Sequence, residues 1–495
     1  MKARSDRTQR PTGPLRGVSD IRRFFQRNET PIYFISATNF NLLGADEWVK
    51  GFKFVNYIDC FDGQHPNVFV PGELPHDAFE SIENINNYLL EHKEVADYVA
   101  GGGQGGKAMF LMFDEKTEEL ADELGLEICF PPARLRQHLD NKVVTTRIAD
   151  EAGVECVPNV LARVDSYDTL RRLSGDLGSD LVIQTPFGDS GHTTFFVSDE
   201  SDWRRYAAEI IREPEVKVMR RIRPRGTAVE ACVTRHGTIV APLMTELVAF
   251  EDLTPYRGGW CGNEIFADAF GEDVRQEARR ATSAIGERLK EEGYRGYFEL
   301  DFLIDEDSGK LYLGEMNPRI TGASSITNHT VFALADAPLF LFHLLEWMDV
   351  DYELDVGQLN ERWARAENID TWSQLVIKHT ADTVEVLTGA PPTGIWRMDG
   401  EGEVRFSRYD THRRAVESEA EAFFLRISNQ GDYRYEGADL GILVTRGRLM
   451  DQNFRLNERA RAWIRGLKSC FETEESSPSE AENRARIAPG AFKIL

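Results

Sequence analysis

Gly314-Glu315-Met316-Asn317-Pro318-Arg319-Ile320-Thr321-Gly322 is the stretch on which the reading of this chain turns. Alternation along residues 310–317 sets Glu315 and Asn317 on one face of a strand that stops at Pro318. Upstream, residues 296–305 read as a second strand with Glu299 and Asp301 on one face. Asp305-Glu306-Asp307-Ser308-Gly309 reads as the hairpin turn between the two. Acidic side chains from two antiparallel strands therefore converge. Hard oxygen donors so arranged, with Arg319 just beyond Asn317, suit a divalent cation shared between protein and polyphosphate. Solvated surface strands have no reason to place Asp301, Glu315 and Asn317 on a common face.

The 495 residues suggest about three domains, at roughly 150 residues each. With 41% hydrophobic and 28% charged residues, the composition is that of an ordinary soluble globular protein. A formal net charge of −24 argues against a surface built for nucleic acid, and an anionic substrate requires local basic residues or metal ions to offset the global field. Residues 1–30 reverse the balance, with eight Lys/Arg against three acids, and read as a flexible basic arm rather than a signal peptide. Cys60, Cys129, Cys156, Cys232, Cys261 and Cys470 are scattered without close pairs, as in a cytoplasmic protein with reduced thiols. No run has the length of a membrane span. The most apolar, 331–350, contains Asp336, Pro338, His343 and Glu346 and reads as a buried helix.

After the arm, residues 31–136 read as an open α/β layer. Its strands are expected at 31–37, 52–59, 98–100 and 109–113, with helices at 81–90 and 117–124. A two-lobed unit is expected over 137–348, with a small lobe at about 181–249, followed by an α+β unit over 349–470. The last unit carries strands at 373–379 and 440–445 and a closing helix at 457–470. The tail 471–495 is rich in Glu, Ser, Ala and Pro and is expected to be disordered.

Two glycine-rich loops stand out. Gly101-Gly102-Gly103-Gln104-Gly105-Gly106-Lys107 has the spacing of a phosphate-binding P-loop, but Ala108 replaces the metal-ligating hydroxyl and a strand follows instead of a helix. It reads as a connecting loop. Pro186-Phe187-Gly188-Asp189-Ser190-Gly191-His192-Thr193-Thr194 lies between the strands 181–184 and 195–197 and reads as a flap whose backbone N–H groups and hydroxyls can cover phosphates.

The order of these elements resembles the ATP-grasp superfamily, especially the branch containing biotin carboxylase and the carboxylate–amine ligases, over roughly residues 31–450. Leu139-Asp140-Asn141-Lys142-Val143, followed by residues 152–158, is similar to that branch's entry into its ATP-binding domain. Residues 218–222 are similar to the hinge strand lining the adenine pocket, and Asp301, Glu315, Asn317 and Arg319 close the pattern. The resemblance implies an N-terminal α/β pre-ATP-grasp domain, a two-lobed ATP-grasp domain and a C-terminal α+β domain. It implies ATP with Mg²⁺ or Mn²⁺, the metal held by Asp301, Glu315 and Asn317. Lys142, Gln184, Ser190, Gly191, Thr193, Arg221 and Glu230 fall at the nucleotide, and Arg319 and Arg257 at the reacting groups. A homodimer acting on small molecules, without nucleic acid or membrane, would be usual for such a protein.

Two departures matter. Many members of the superfamily carry a lysine on the strand before the flap, where this chain has Gln184. Biotin carboxylases place a glutamate shortly after the arginine to deprotonate bicarbonate, whereas Arg319 is followed here by Ile320-Thr321-Gly322-Ala323-Ser324-Ser325. The resulting expectation is a carboxylate–amine ligase that activates an acid as an acyl phosphate. Biotin carboxylase-like chemistry and a non-catalytic nucleotide-binding regulator are the alternatives.

Overall fold

Ile32–Ser36 is buried at every position, as an apolar run must be when both faces of a strand are covered. In the computed structural model, which describes residues 13–72, 79–103, 105–188, 193–256, 258–328 and 336–476, it is the central strand of a parallel sheet. The order is Val68–Phe69, Phe52–Asn56, Ile32–Ser36, Lys107–Phe110, Glu127–Ile128. The strand order reverses beside Ile32–Ser36, and the loop leaving that strand therefore opens onto a crevice at the carboxyl edge. The expected strand at 98–100 is instead part of the helix Lys93–Gly102, because Val95 and Val99, one turn apart, form its buried face. Lys107 pairs with Glu127 at 2.7 Å, so the glycine run before it is a connection and no P-loop.

The basic arm is corrected over part of its length. Leu15–Arg16 pairs in parallel with Tyr352–Glu353, and Gly17–Gln26 is an amphipathic helix that buries Ile21 and Phe25. Arg23 is exposed and Arg22 lies over the Trp48 ring, outside that stripe, so composition alone concealed it. Residues 1–12 lie outside the described residues. The tail is corrected likewise, since Glu472–Glu475 pairs with Glu385–Gly389, and residues 477–495 lie outside the described residues. The apolar stretch 331–350 contains the buried helix Leu339–Trp347, with 329–335 outside the described residues. No helix among the described residues is long and apolar enough to cross a membrane.

The small lobe is an antiparallel sheet in the order Asn159–Ala162, Val216–Arg220, Leu181–Gln184, Thr194–Val197. One face packs on its own helices through Ile183, Val216 and Val218. The other faces the large lobe. There the acidic hairpin, Gly296–Asp305 with Leu311–Asn317, forms the edge of a long antiparallel sheet. That sheet continues through Pro224–Thr234, Met244–Val248 and Trp260–Ile265 into Trp372–Lys378 and Asp439–Arg446. The sheet runs unbroken across the division expected near 348/349.

Gly262 sits on this seam with φ +140°, and a Cβ there would stand 1.9 Å from the Gln374 carbonyl oxygen. Gly262→Ala should therefore part the strands Trp260–Ile265 and Trp372–Lys378 and destabilise the protein by at least about 1–3 kcal/mol. Thermal unfolding checks this; an unchanged midpoint would mean that the seam is not structural.

Candidate active site

The hairpin registers Glu299 opposite Asn317 and Asp301 opposite Glu315, then shifts so that Phe302 faces Leu313. Gly314 is the extra residue of a β-bulge. A Cβ there would lie 3.2 Å from the Asp301 carbonyl oxygen, so glycine fits best. The bulge keeps Tyr312 on the same side as the acids. Tyr312 joins Val157 and Met219, with Val182, Ile222 and Leu303 beside them, in an apolar cluster between the two lobes. The cleft is thus apolar at one end and acidic at the other.

Lys142 lies between these ends. It is the first residue of the helix Lys142–Glu151, which Asn141 caps by accepting from the Val143 and Val144 amides. Only 5% of its side chain is exposed; Nζ donates to Glu315 Oε1 at 2.6 Å and to the Gly188 carbonyl at 2.6 Å. Its backbone amide also donates to the Pro186 carbonyl, so one residue ties helix, flap base and hairpin together. Gln184 donates through Nε2 to Thr194 Oγ1 at 3.3 Å, while its buried Oε1 has no partner among the described residues. The Thr193 side chain occupies the space that a Cβ on Gly188 would need. Arg221 is exposed at the cleft rim, its guanidinium 5.1 Å from the centre of the Phe196 ring. Ser190, Gly191, His192 and Arg257 lie outside the described residues.

Sequence reading missed Glu246, which the strand Met244–Val248 brings to the acid cluster from the far side of Pro224–Thr234, against Gly226. Burial, then repulsion from Glu315, pushes its carboxyl up to about 7. Burial also holds Glu299 and Asp301 well above the usual carboxylate range. The neighbouring acids add to this (Glu230 and Glu246 for Glu299; Glu246, Glu299 and Glu315 for Asp301), while Arg319 opposes. Asn317 donates to Asp301 at 3.2 Å and Glu299 at 3.3 Å, and its Oδ1 accepts from Arg319 at 2.8 Å. Such crowding of carboxyls around one guanidinium and one amide fits a divalent cation. No three His, Cys, Asp or Glu among the described residues form a complete cage, so an ion there would draw its remaining oxygens from a ligand.

Lys217 was also missed. It is buried on the hinge strand Val216–Arg220, directly opposite Gln184. Burial lowers its pKa, Lys142 adds to this, and Glu315 opposes it.

Glu230, expected at the cofactor, is corrected. It is fully buried, accepting from Tyr297 Oη at 2.6 Å, Ser324 Oγ at 2.5 Å and Thr321 Oγ1 at 3.2 Å. It braces the loop after Arg319 from below. The same loop is gripped from three directions. Asn41 of the N-terminal layer donates to the Thr321 carbonyl at 2.8 Å, and Gln374 to the Gly322 carbonyl at 2.9 Å. Arg413, fully buried, donates to Ser325 through both terminal nitrogens.

The family model described as carbamoyl-phosphate synthase L chain, ATP binding domain, matches residues 141–336. That span starts immediately before Lys142 and includes every described hairpin residue above. Pyruvate carboxylase of Aspergillus niger is 24% identical over 263 residues, which cover 51% of this chain and 21% of that protein. The chain thus spans about a fifth of that relative's length. Carboxyaminoimidazole ribonucleotide synthase from Aspergillus clavatus, complexed with ATP, superposes with a TM-score of 0.52 at 12% identity, over 89% of this chain and 99% of that one. The biotin carboxylase domain of Hydrogenobacter thermophilus 2-oxoglutarate carboxylase, a dimer with MgADP, ADP and bicarbonate, gives 0.53 at 14% identity over 90% and 91%. Residues 141–336 thus match an ATP-binding domain, and the two facing lobes with an acidic hairpin at the cleft follow the fold of these solved structures.

Burial lifts the Glu230 carboxyl from an ordinary 4.5 to about 7, so the folded state holds a proton that the unfolded state releases earlier. Glu230's contribution is therefore fully present below pH 4.5, falls as pH rises towards 7 and is flat above. Glu230→Gln should leave stability near wild type at pH 5 and gain on it by up to about 3 kcal/mol at pH 8. Urea unfolding at both pH values tests this; a pH-independent difference would contradict it.

Proposed function

We propose that the chain is an ATP-dependent carboxylate–amine ligase that activates a small carboxylic acid as an acyl phosphate, releases ADP and phosphate, and forms an amide bond. The observation that carries this reading is the graded cleft. Its apolar end, around Val157, Met219 and Tyr312, is the part whose chemistry suits a purine ring. Lys142, Glu315, Asp301 and Asn317 follow in the direction a triphosphate would extend. Asp301, Glu315 and Asn317 would hold Mg²⁺, which when bound neutralises charge on the transferring phosphoryl group. Lys142 adds positive charge from the helix side and Arg319 from the loop side, where the acid's oxygen must meet the γ-phosphate in line. Lys142 also holds the base of the flap, through Gly188, over that region.

The acceptor and acid fit the junction beyond Arg319. Asn39 and Asn56, both fully buried on the carboxyl side of the parallel sheet, have side-chain amides with no partner among the described residues. Asn41 links their layer to Thr321. Buried amides left unmatched cost about 1–3 kcal/mol each, which a polar substrate would recover. Burial and repulsion raise the cluster's carboxyls, so binding a cation there displaces protons.

Bicarbonate chemistry is the second reading, favoured by the carboxylase relatives. Against it, residues 320–328 contain no Asp or Glu, and Glu230, which reaches that loop, is sealed beneath it. ADP release over a matrix of amino acids, small acids and bicarbonate decides between them. Turnover that depends on an acid and an amine supports the ligase; turnover on bicarbonate, stimulated by biotin, replaces it.

Two outcomes follow for the site. Glu315→Gln should lower ADP release at least about 100-fold with the fold intact by circular dichroism, and wild-type turnover would exclude this cleft. MgADP should bind with net proton release, and more tightly as pH rises from 6 to 8 through the raised carboxyls. Titration calorimetry in buffers of differing ionisation enthalpy measures both; proton uptake would contradict the assignment of the cluster to a cation.

A further inference from the structure

Gln184 leaves the strand before the flap without a charge, yet the antiparallel register puts Lys217 of the hinge strand directly across from it. Residues paired in this way project to the same face of the sheet. That face is settled by their neighbours. Val216 and Val218, which flank Lys217, pack into the small lobe's own core, and Met219, the next residue on Lys217's side, packs against Tyr312 of the hairpin strand. Lys217 therefore projects into the cleft between the lobes, one pair step from the apolar cluster and on the way to Lys142 and Glu315.

Its electrostatic setting is unusual for a structural lysine. It is 1% exposed, and no carboxylate among the described residues forms an ion pair with it. Glu315, the carboxylate with the largest influence on it, is already engaged by Lys142 at 2.6 Å. A buried ammonium without a counter-ion is costly unless a ligand supplies one. Opposite it, the Gln184 Oε1 is also buried without a partner among the described residues. The Lys217 ammonium and the Gln184 Oε1, on adjacent strands, thus both lack partners among the described residues at one step of the cleft.

We propose that Lys217 supplies the nucleotide site's second phosphate-binding charge, contacting the diphosphate moiety nearer the apolar pocket, while Lys142 serves the end nearer the hairpin. The charge missing at position 184 has moved one strand across, and Gln184 stands beside it as a neutral residue whose Nε2, donating to Thr194 here, is the group able to donate to the same phosphates. This assignment rests on the ATP-dependent reading above and adds a nucleotide-binding residue to it.

The test is a charge transposition read by binding, with MgADP and adenosine as probes. Titration calorimetry is run on wild type, Lys217→Met, Lys217→Gln and the double variant Gln184→Lys/Lys217→Gln. Losing a charge-assisted phosphate contact should weaken MgADP about ten- to hundredfold in both single variants, with adenosine affinity changed less than about twofold. The double variant should recover most of the lost MgADP affinity, because the new lysine reaches the same face from the facing strand. Lys217→Met removes a buried charge, so its ligand-free melting temperature should equal or exceed wild type while the MgADP-induced rise shrinks. Wild-type MgADP affinity in Lys217→Met overturns the proposal, as does an equal loss for adenosine and MgADP, which would signal a structural role. A wild-type protein that binds no MgADP overturns the ATP-dependent reading itself, and this assignment with it.

Discussion

The contact between Lys142 Nζ and Glu315 Oε1, at 2.6 Å, is the constraint around which the site is organised. Lys142 begins a helix, Glu315 ends a strand, and the same ammonium holds the Gly188 carbonyl at the base of the flap. The pair is nearly dry on the lysine side, where 5% of the side chain is exposed, and wetter on the glutamate side, at 29%. A buried pair of this kind adds little net stability, because desolvation offsets the Coulomb gain. Its consequence is geometric: flap, helix and hairpin are registered on one atom, which a triphosphate and its cation can enter by exchanging partners.

The charge distribution is compatible with the proposed polyphosphate ligand despite a net charge of −24. The acids are not uniformly repulsive. Glu246, Glu299 and Asp301 are crowded and lifted, so they favour a divalent ion. Lys142, Lys217 and Arg319 stand around that cluster with few anions of their own. Glu230, sealed by three hydroxyls, lies beneath the loop and fixes its shape instead of meeting a ligand.

How much of this was legible in the sequence follows from the range of each interaction. The hairpin was legible because period-2 alternation and the turn ending at Gly309 are local, and the register Asp301–Glu315 agrees. The bulge at Gly314 was not, since it depends on which residues the partner strand presents. Lys217 and Glu246 were invisible for a related reason: Lys217 gains its meaning from Gln184, more than thirty residues away on the paired strand, and Glu246 from Asp301, more than fifty residues away and one strand over. The helix over 98–100 and the helix inside the basic arm were misread because short apolar or charged runs do not reveal their period. The unbroken sheet through Gly262 joins segments that composition separates.

The central claim is that a carboxylate oxygen attacks ATP at the hairpin end of the cleft. With an acid identified by its ADP release, labelling that acid's carboxylate with ¹⁸O and analysing the inorganic phosphate by mass spectrometry tests it directly. Transfer of one labelled oxygen per phosphate, with ADP as the nucleotide product, is the predicted result. Unlabelled phosphate, or AMP and pyrophosphate as products, would contradict it.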